Sequence, residues 1–185
     1  MISTADFRSG LTIERNGQLY QIVEYKHQMR GRGSATVRAK LRNLRTGAIL
    51  EQTFEAGEKV DSAYIEKRPS QFLYRSGDDF IFMDSESYEQ QTLTEDRLGD
   101  SSQWMKEGQE VTLLQFQGEF LGVELPMSVE LQITETDPGL RGDTATGGSK
   151  VAKLETGATV RVPLFVNQGD FVRVNTQTGE YIERA

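Results

Sequence analysis

The chain has no cysteine, one histidine and one tryptophan in 185 residues. The missing thiols exclude disulfides and thiolate metal sites. A single histidine, His27, excludes a multi-histidine metal centre and leaves a poor basis for general acid–base catalysis. No apolar run approaches the roughly 20 residues that span a bilayer as a helix. The first residues, Met1-Ile2-Ser3-Thr4-Ala5-Asp6, lack the basic start and apolar stretch of a signal peptide. The expectation is a soluble, cytoplasmic protein. Hydrophobic residues make up only 36%, with 18 glycines, which suits small β-rich modules with many turns better than one thick core.

One further absence is local. From Tyr25 to Leu50 there is no Asp or Glu, but there are seven Lys or Arg residues. The whole chain is acidic, with a formal charge of −7, so this window stands out. Residues 1–63 hold ten Lys and Arg against seven Asp and Glu, +3. Residues 64–126 hold five against thirteen, −8, and residues 127–185 six against eight, −2. One end that meets RNA, and a middle that does not stick to it, explains the division.

The window centres on Met29-Arg30-Gly31-Arg32-Gly33. Before it, Gln18 to Gln28 reads as a strand. After it, Ala35, Val37, Ala39 and Leu41 alternate with Ser34, Thr36, Arg38, Lys40 and Arg42, the period of a half-buried strand. Two strands joined by about five residues containing Gly form a hairpin. Its tip presents Arg32 between Gly31 and Gly33. Arg38, Lys40 and Arg42 line one face and are candidates for RNA phosphate contact. Guanidinium stays charged and forks onto phosphate, so Arg32 binds and positions; it is a poor base or nucleophile.

Three all-β modules are expected, 1–63, 64–126 and 127–185. In the first, Thr12–Arg15 and Gln18–Tyr25 flank an Asn16-Gly17 turn of the type I′ kind. Ile49–Phe54 is a further strand, and Glu58 to Asp61 is expected to mark the boundary. In the second, Gln71–Tyr74, Phe80–Met83, Tyr88–Leu93, Val111–Phe116 and Glu119–Leu125 read as strands. A short helical stretch from Thr94 towards Trp104 is the only helical region expected. Five strands and one short helix suit a Greek-key barrel. In the third, Val129–Thr134, Ala158–Val162, Leu164–Val166, Phe171–Asn175 and Tyr181–Arg184 are strands, and Asp143 to Lys150 is a polar, Gly-rich loop.

Other chemistry is weighed and set aside. Asp78, Asp79, Asp84, Glu86 and Glu89 could pair for hydrolysis or hold Mg²⁺, but turns favour Asp for backbone reasons alone. Gly142 to Lys150 has the glycines of a phosphate loop, yet Ser149 precedes Lys150 and a strand-like segment follows, so it is not a nucleotide-binding loop of the Gly-Lys-Ser/Thr kind.

The residues resemble bacterial translation elongation factor P over essentially the whole chain. The most specific stretch is Lys150-Val151-Ala152, Gly157, Val160-Arg161-Val162-Pro163-Leu164-Phe165-Val166 and Gly169. Asp137-Pro138-Gly139-Leu140-Arg141-Gly142-Asp143-Thr144 and Gly179-Glu180-Tyr181 resemble the family as well. The resemblance implies an N-terminal SH3-like (KOW-like) barrel followed by two OB-fold barrels in an L-shaped, tRNA-like outline. It implies a monomer without cofactor or enzymatic activity. That protein would bind the ribosome between the peptidyl-tRNA and exit sites and stimulate peptide-bond formation at polyproline stalls. Peptidyl-tRNA and mRNA at the exit site would be its further partners.

The resemblance also assigns residues. Arg32 takes the tip position that meets the acceptor end of the tRNA and is modified in many members. The commoner tip is Lys-Pro-Gly-Lys-Gly; here Met29 and Arg30 replace its Lys-Pro and Arg32 its second Lys. Without a primary amine, lysine-type acylation is excluded. Some arginine-bearing members carry rhamnose, which implies an arginine rhamnosyltransferase, and those members often have Asn where this chain has Gly33. Gly142, Asp143 and Thr144 would approach the exit-site codon, and Tyr181 and Arg184 would contact RNA. The alternatives are an elongation factor P-like paralogue, a generic OB-type single-strand-binding protein, and an enzyme built on the acidic middle module.

Overall fold

A computed structural model describes residues 1–29, 31–139 and 148–185. Nearly all regular structure is strand, in three antiparallel-paired sheets. The chain packs as two compact units, residues 1–68 with 113–122 and residues 69–112 with 123–185.

The first sheet holds β1 (Ile2–Ser3), β2 (Thr12–Arg15), β3 (Gln18–Gln28), β4 (Thr36–Asn43), β5 (Ile49–Glu55) and β6 (Lys59–Ser62), in the order β1-β6-β2-β3-β4-β5. Asn16 and Gly17 both have positive φ, 52° and 73°, as the tight turn between β2 and β3 requires. Val37, Ala39 and Leu41 of β4 point inward and are fully buried with Ile13, Ile22 and Phe54. Phe7 meets Phe54 edge-on, with centroids 5.2 Å apart. Two expectations change here. Glu58 to Asp61 is no boundary, because β6 runs through it and pairs with β1 and β2. Its only inward side chain is Val60, too little for a hydrophobic period to show. Helical structure also is not confined to the Trp104 region. Thr4–Asp6 forms a 3₁₀ turn, capped by Ser3 Oγ accepting from the Ala5 N–H and by the Asp6 carboxylate accepting from the Ser3 N–H.

The second sheet holds β7 (Glu66–Ser76), β8 (Asp79–Asp84), β9 (Gln90–Thr94), β10 (Glu110–Phe116) and β11 (Glu119–Glu124), in the order β11-β10-β7-β8-β9. Tyr88, expected in a strand, has φ 60° and belongs to a turn. Asp84 holds that turn: its carboxylate accepts from the Glu86 and Ser87 N–H groups at 2.8 and 3.0 Å. After β9 the expected helix is short, α1 (Glu95–Leu98) followed by a 3₁₀ stretch, Gly99–Trp104. Thr94 sits at the N-cap but its hydroxyl makes no capping bond.

The third sheet holds β12 (Ser128–Thr136), β13 (Ser149–Leu154), β14 (Thr159–Pro163), β15 (Phe171–Asn175) and β16 (Tyr181–Arg184), in the order β14-β13-β12-β15-β16. The polar loop expected through Lys150 ends earlier, because β13 begins at Ser149. Lys150 is 9% exposed, and its ammonium donates to the Asp137 carbonyl at 2.6 Å, so it serves the fold. Leu164–Val166 is a turn and not a strand; the Val166 N–H bonds back to the Pro163 carbonyl at 3.2 Å. Trp104, 5% exposed, packs into the core of this sheet with Leu131, Ile133, Val162 and Val174. Gly179 closes over it. A Cβ at Gly179 would stand 3.1 Å from the indole, and φ there is +74°.

Candidate nucleic-acid interface

The ends of β3 and β4 form the arm, with β5 still paired along β4 as far as Thr36, which faces Glu55. Facing residues are Glu24 and Lys40, Tyr25 and Ala39, Lys26 and Arg38, His27 and Val37, Gln28 and Thr36. A bulge at Val23 breaks the register just before the arm begins, between Ile22 and Glu24. From Glu24 to His27 every residue of β3 is exposed, although Val37 and Ala39 opposite are fully buried. The connection is longer than expected, since β3 ends at Gln28 and β4 starts at Thr36. Met29, Gly31, Arg32 and Gly33 are all exposed there. Nothing lies within 4 Å of where a Cβ on Gly31 would stand. Arg32 makes no hydrogen bond or ion pair among the described residues. Arg30 lies outside the described residues.

Arg38, Lys40 and Arg42 share one face, as their spacing requires, but this face is not purely basic. Arg38 pairs with Glu51 at 2.7 Å and Lys40 with Glu24 at 3.4 Å. The acid-free window is a property of the linear chain. Strand pairing carries in the two glutamates that flank it, one on β3 and one on β5. Both pairs are exposed, so each is worth at most about 1 kcal/mol and can yield to a phosphate. Arg42 is exposed and has no acidic partner among the described residues. Arg45, the last cation of the window, is spent within the fold. Its guanidinium reaches both carboxylate oxygens of Glu119 at 3.3–3.4 Å and the Gly17 carbonyl at 3.1 Å. Register would have exposed the roles of Glu24 and Glu51. Nothing in the sequence links Arg45 to a residue so far along the chain.

In the third sheet, Arg184 lies with its guanidinium 5.5 Å from the centre of the Phe165 ring. Tyr181 is half-buried against the core and also lines a shallow groove with Val151, Thr159 and Arg161. Arg173 is held between Glu130, at 2.8 Å, and Glu183. The hydrogen bond it donates to Glu130, then the charge of Glu183, raise its pKa above the usual arginine value, and this cation is committed to partners on its own sheet. Gly142, Asp143 and Thr144 lie outside the described residues. The acidic cluster of the middle module does not assemble a site. Asp84 is a turn cap, and Asp78, Asp79, Glu86 and Glu89 are exposed. Among the described residues no group of three His, Cys, Asp or Glu side chains could hold a metal ion, and no helix is long and apolar enough to cross a membrane.

Three family models match in order along the chain. They are the elongation factor P KOW-like domain over residues 3–60, the elongation factor P OB domain over 65–123, and elongation factor P, C-terminal, over 129–184. The chain belongs to the elongation factor P family. It is 55% identical to elongation factor P of Moorella thermoacetica over 185 residues, covering all of both chains. It is 54% identical to that of Pelotomaculum thermopropionicum, again covering all of both. It is also 54% identical to that of Natranaerobius thermophilus, covering 100% of this chain and 98% of the relative.

The three sheets accordingly form a KOW-like, SH3-type barrel and two further barrels of an elongation factor P, a translation elongation factor. The fold reaches further than the sequence likeness. A solved structure described as eukaryotic translation initiation factor 5A from Methanococcus jannaschii matches with a TM-score of 0.54 at 22% identity, over 64% of this chain and 88% of that one. The arm lies inside the KOW-like match, and Tyr181 and Arg184 lie inside the C-terminal match.

Proposed function

We propose that this elongation factor binds the ribosome between the peptidyl-tRNA and exit sites and stimulates peptide-bond formation at polyproline stalls. The observation that carries the reading is the β3–β4 hairpin: it has basic side chains along one face and, beyond its strands, an exposed Arg32 that makes no hydrogen bond or ion pair among the described residues. Proline is a constrained secondary amine, and a poorly placed peptidyl-tRNA raises the barrier to its reaction further. Holding the tRNA in a reactive geometry lowers that barrier without any covalent step by the factor, since the ribosome supplies the chemistry. Arg32 supplies a planar fork of donors towards the acceptor end of the tRNA. Gly142, Asp143 and Thr144 approach the mRNA at the exit site, and Tyr181 and Arg184 add RNA contacts. Rhamnose on Arg32, attached by an arginine rhamnosyltransferase, is part of the same reading, and the intact mass of protein from its native cell reads it directly.

Reconstituted translation of a polyproline reporter, with and without the protein, tests the function. Stalling relieved by the protein at proline runs, with a proline-free control unaffected, is the expected result. Equal stalling with and without it removes the reading.

A further inference from the structure

The β13–β14 hairpin of the third sheet turns one face outward. Val151 faces Arg161 and Lys153 faces Thr159, and all four are exposed, while Lys150, Ala152, Val160 and Val162 between them are buried. This face carries cations and no carboxylate. Neither Arg161 nor Lys153 has an acidic partner among the described residues, in contrast to Arg173 on the same sheet. Arg161 is also oriented. Its Nε donates to Ser149 Oγ at 3.1 Å, which leaves the two terminal nitrogens of the fork without a partner among the described residues. β14 and β16 approach each other at the seam of the barrel, and a groove of about 460 Å³ runs there. Val151, Thr159 and Arg161 line it from one side, Glu180 and Tyr181 from the other. Val151 is 54% exposed and the Tyr181 ring is half-buried, so an apolar surface borders the same space as the free guanidinium.

We propose that this groove takes one unpaired RNA nucleotide, its base against Val151 and the Tyr181 ring and its phosphate on Arg161, with Lys153 beside the groove holding the next phosphate. Three arguments select the occupant. The planar fork of Arg161 matches a phosphate, and Ser149 has already fixed its direction. An aromatic ring with an apolar neighbour accepts any base. Glu180, at the far side of the groove from Lys153, disfavours an acidic protein segment, whose carboxylates would meet its charge. The neutral base stands at that side instead and donates an N–H to the Glu180 carboxylate. Such Watson–Crick donors are free only where the base is unpaired. The inference rests on the ribosome-binding reading and deepens the RNA contact given there to Tyr181, by naming what it holds and the cations that hold it too.

The test uses the full chain on ribosomes carrying peptidyl-tRNA. Because the chain has no cysteine, Thr159→Cys takes a single benzophenone-maleimide label at the rim of the groove. Irradiation should join that label to RNA at an unpaired nucleotide. Adding Arg161→Ala and Lys153→Ala to the labelled chain should remove most of this adduct at equal occupancy of the ribosome. In the unlabelled chain each alanine should shallow the salt dependence of co-sedimentation by about 0.7 unit, the value for a single-strand phosphate contact. An adduct to protein alone, no adduct, or an RNA adduct that survives both alanines overturns the inference and leaves ribosome binding standing. Failure of the wild-type chain to co-sediment with ribosomes overturns that reading, and the inference with it.

Discussion

Glu51 and Glu24 set the strength of the basic face as much as its cations do. Arg38 and Lys40 must trade an existing partner for a phosphate, whereas Arg42 need not. Arg42→Ala should therefore weaken ribosome binding and shallow its salt dependence by about one unit, while Arg38→Ala does less. The reverse change is more telling. Glu51→Gln frees Arg38 without removing a cation, and should tighten binding and steepen the salt slope, also by about one unit or less. Co-sedimentation across a salt series measures all three; a slope unchanged by Glu51→Gln would show that Arg38 never meets phosphate. Gly179 is the residue-scale counterpart in the third sheet. Gly179→Ala places a methyl against the Trp104 indole and forces a left-handed backbone on alanine, so it should cost about 1–3 kcal/mol in denaturant unfolding. Because Trp104 is the only tryptophan, its fluorescence follows that unfolding directly.

Elements differ in how plainly the sequence announces them. β3 could be delimited from residues alone, and β4 nearly so, because Val37, Ala39 and Leu41 alternate with charges over a long run. β6 was not legible, and β13 showed only as a strand-like stretch after Lys150 without bounds. Each is short, and their inward residues, Val60 in one and Lys150, Ala152 and Leu154 in the other, include too few large apolar groups to show a period. Leu164–Val166 misled in the other direction: three apolar residues in a row read as strand, but Pro163 removes the donor that a continuing ladder needs. The candidate site divided the same way. The exposed Arg32 and the shared face of Arg38, Lys40 and Arg42 follow from local spacing. Their glutamate partners do not, since pairing between strands lies outside any linear window. The 3₁₀ stretch after α1 carries a comparable hidden dependence. It delivers Trp104 to the core of the third sheet. Trp104→Ala should cost about 3–5 kcal/mol and raise amide exchange in β12 and β15. Unaltered exchange in those strands would mean that the indole fills no necessary space.

For the whole molecule, an acidic chain with a basic arm makes sense as a factor that must find one RNA site and avoid others. Its net charge opposes non-specific binding, while the acid-free stretch of the arm concentrates cations where phosphate can be met. The account stands or falls on the tip of that arm. Arg32 is exposed and makes no hydrogen bond or ion pair among the described residues, so replacing it should leave stability within about 0.5 kcal/mol. Wild type, Arg32→Lys and Arg32→Ala can be compared in reconstituted translation of the polyproline reporter, with ribosome binding measured alongside. Arg32→Lys keeps the charge and loses the planar fork, so rescue should fall; Arg32→Ala loses both, and rescue should fall further, while binding to the ribosome drops less in each. Arg32→Ala protein that relieves stalling as well as wild type would contradict the account, because the arm would then position nothing through its tip.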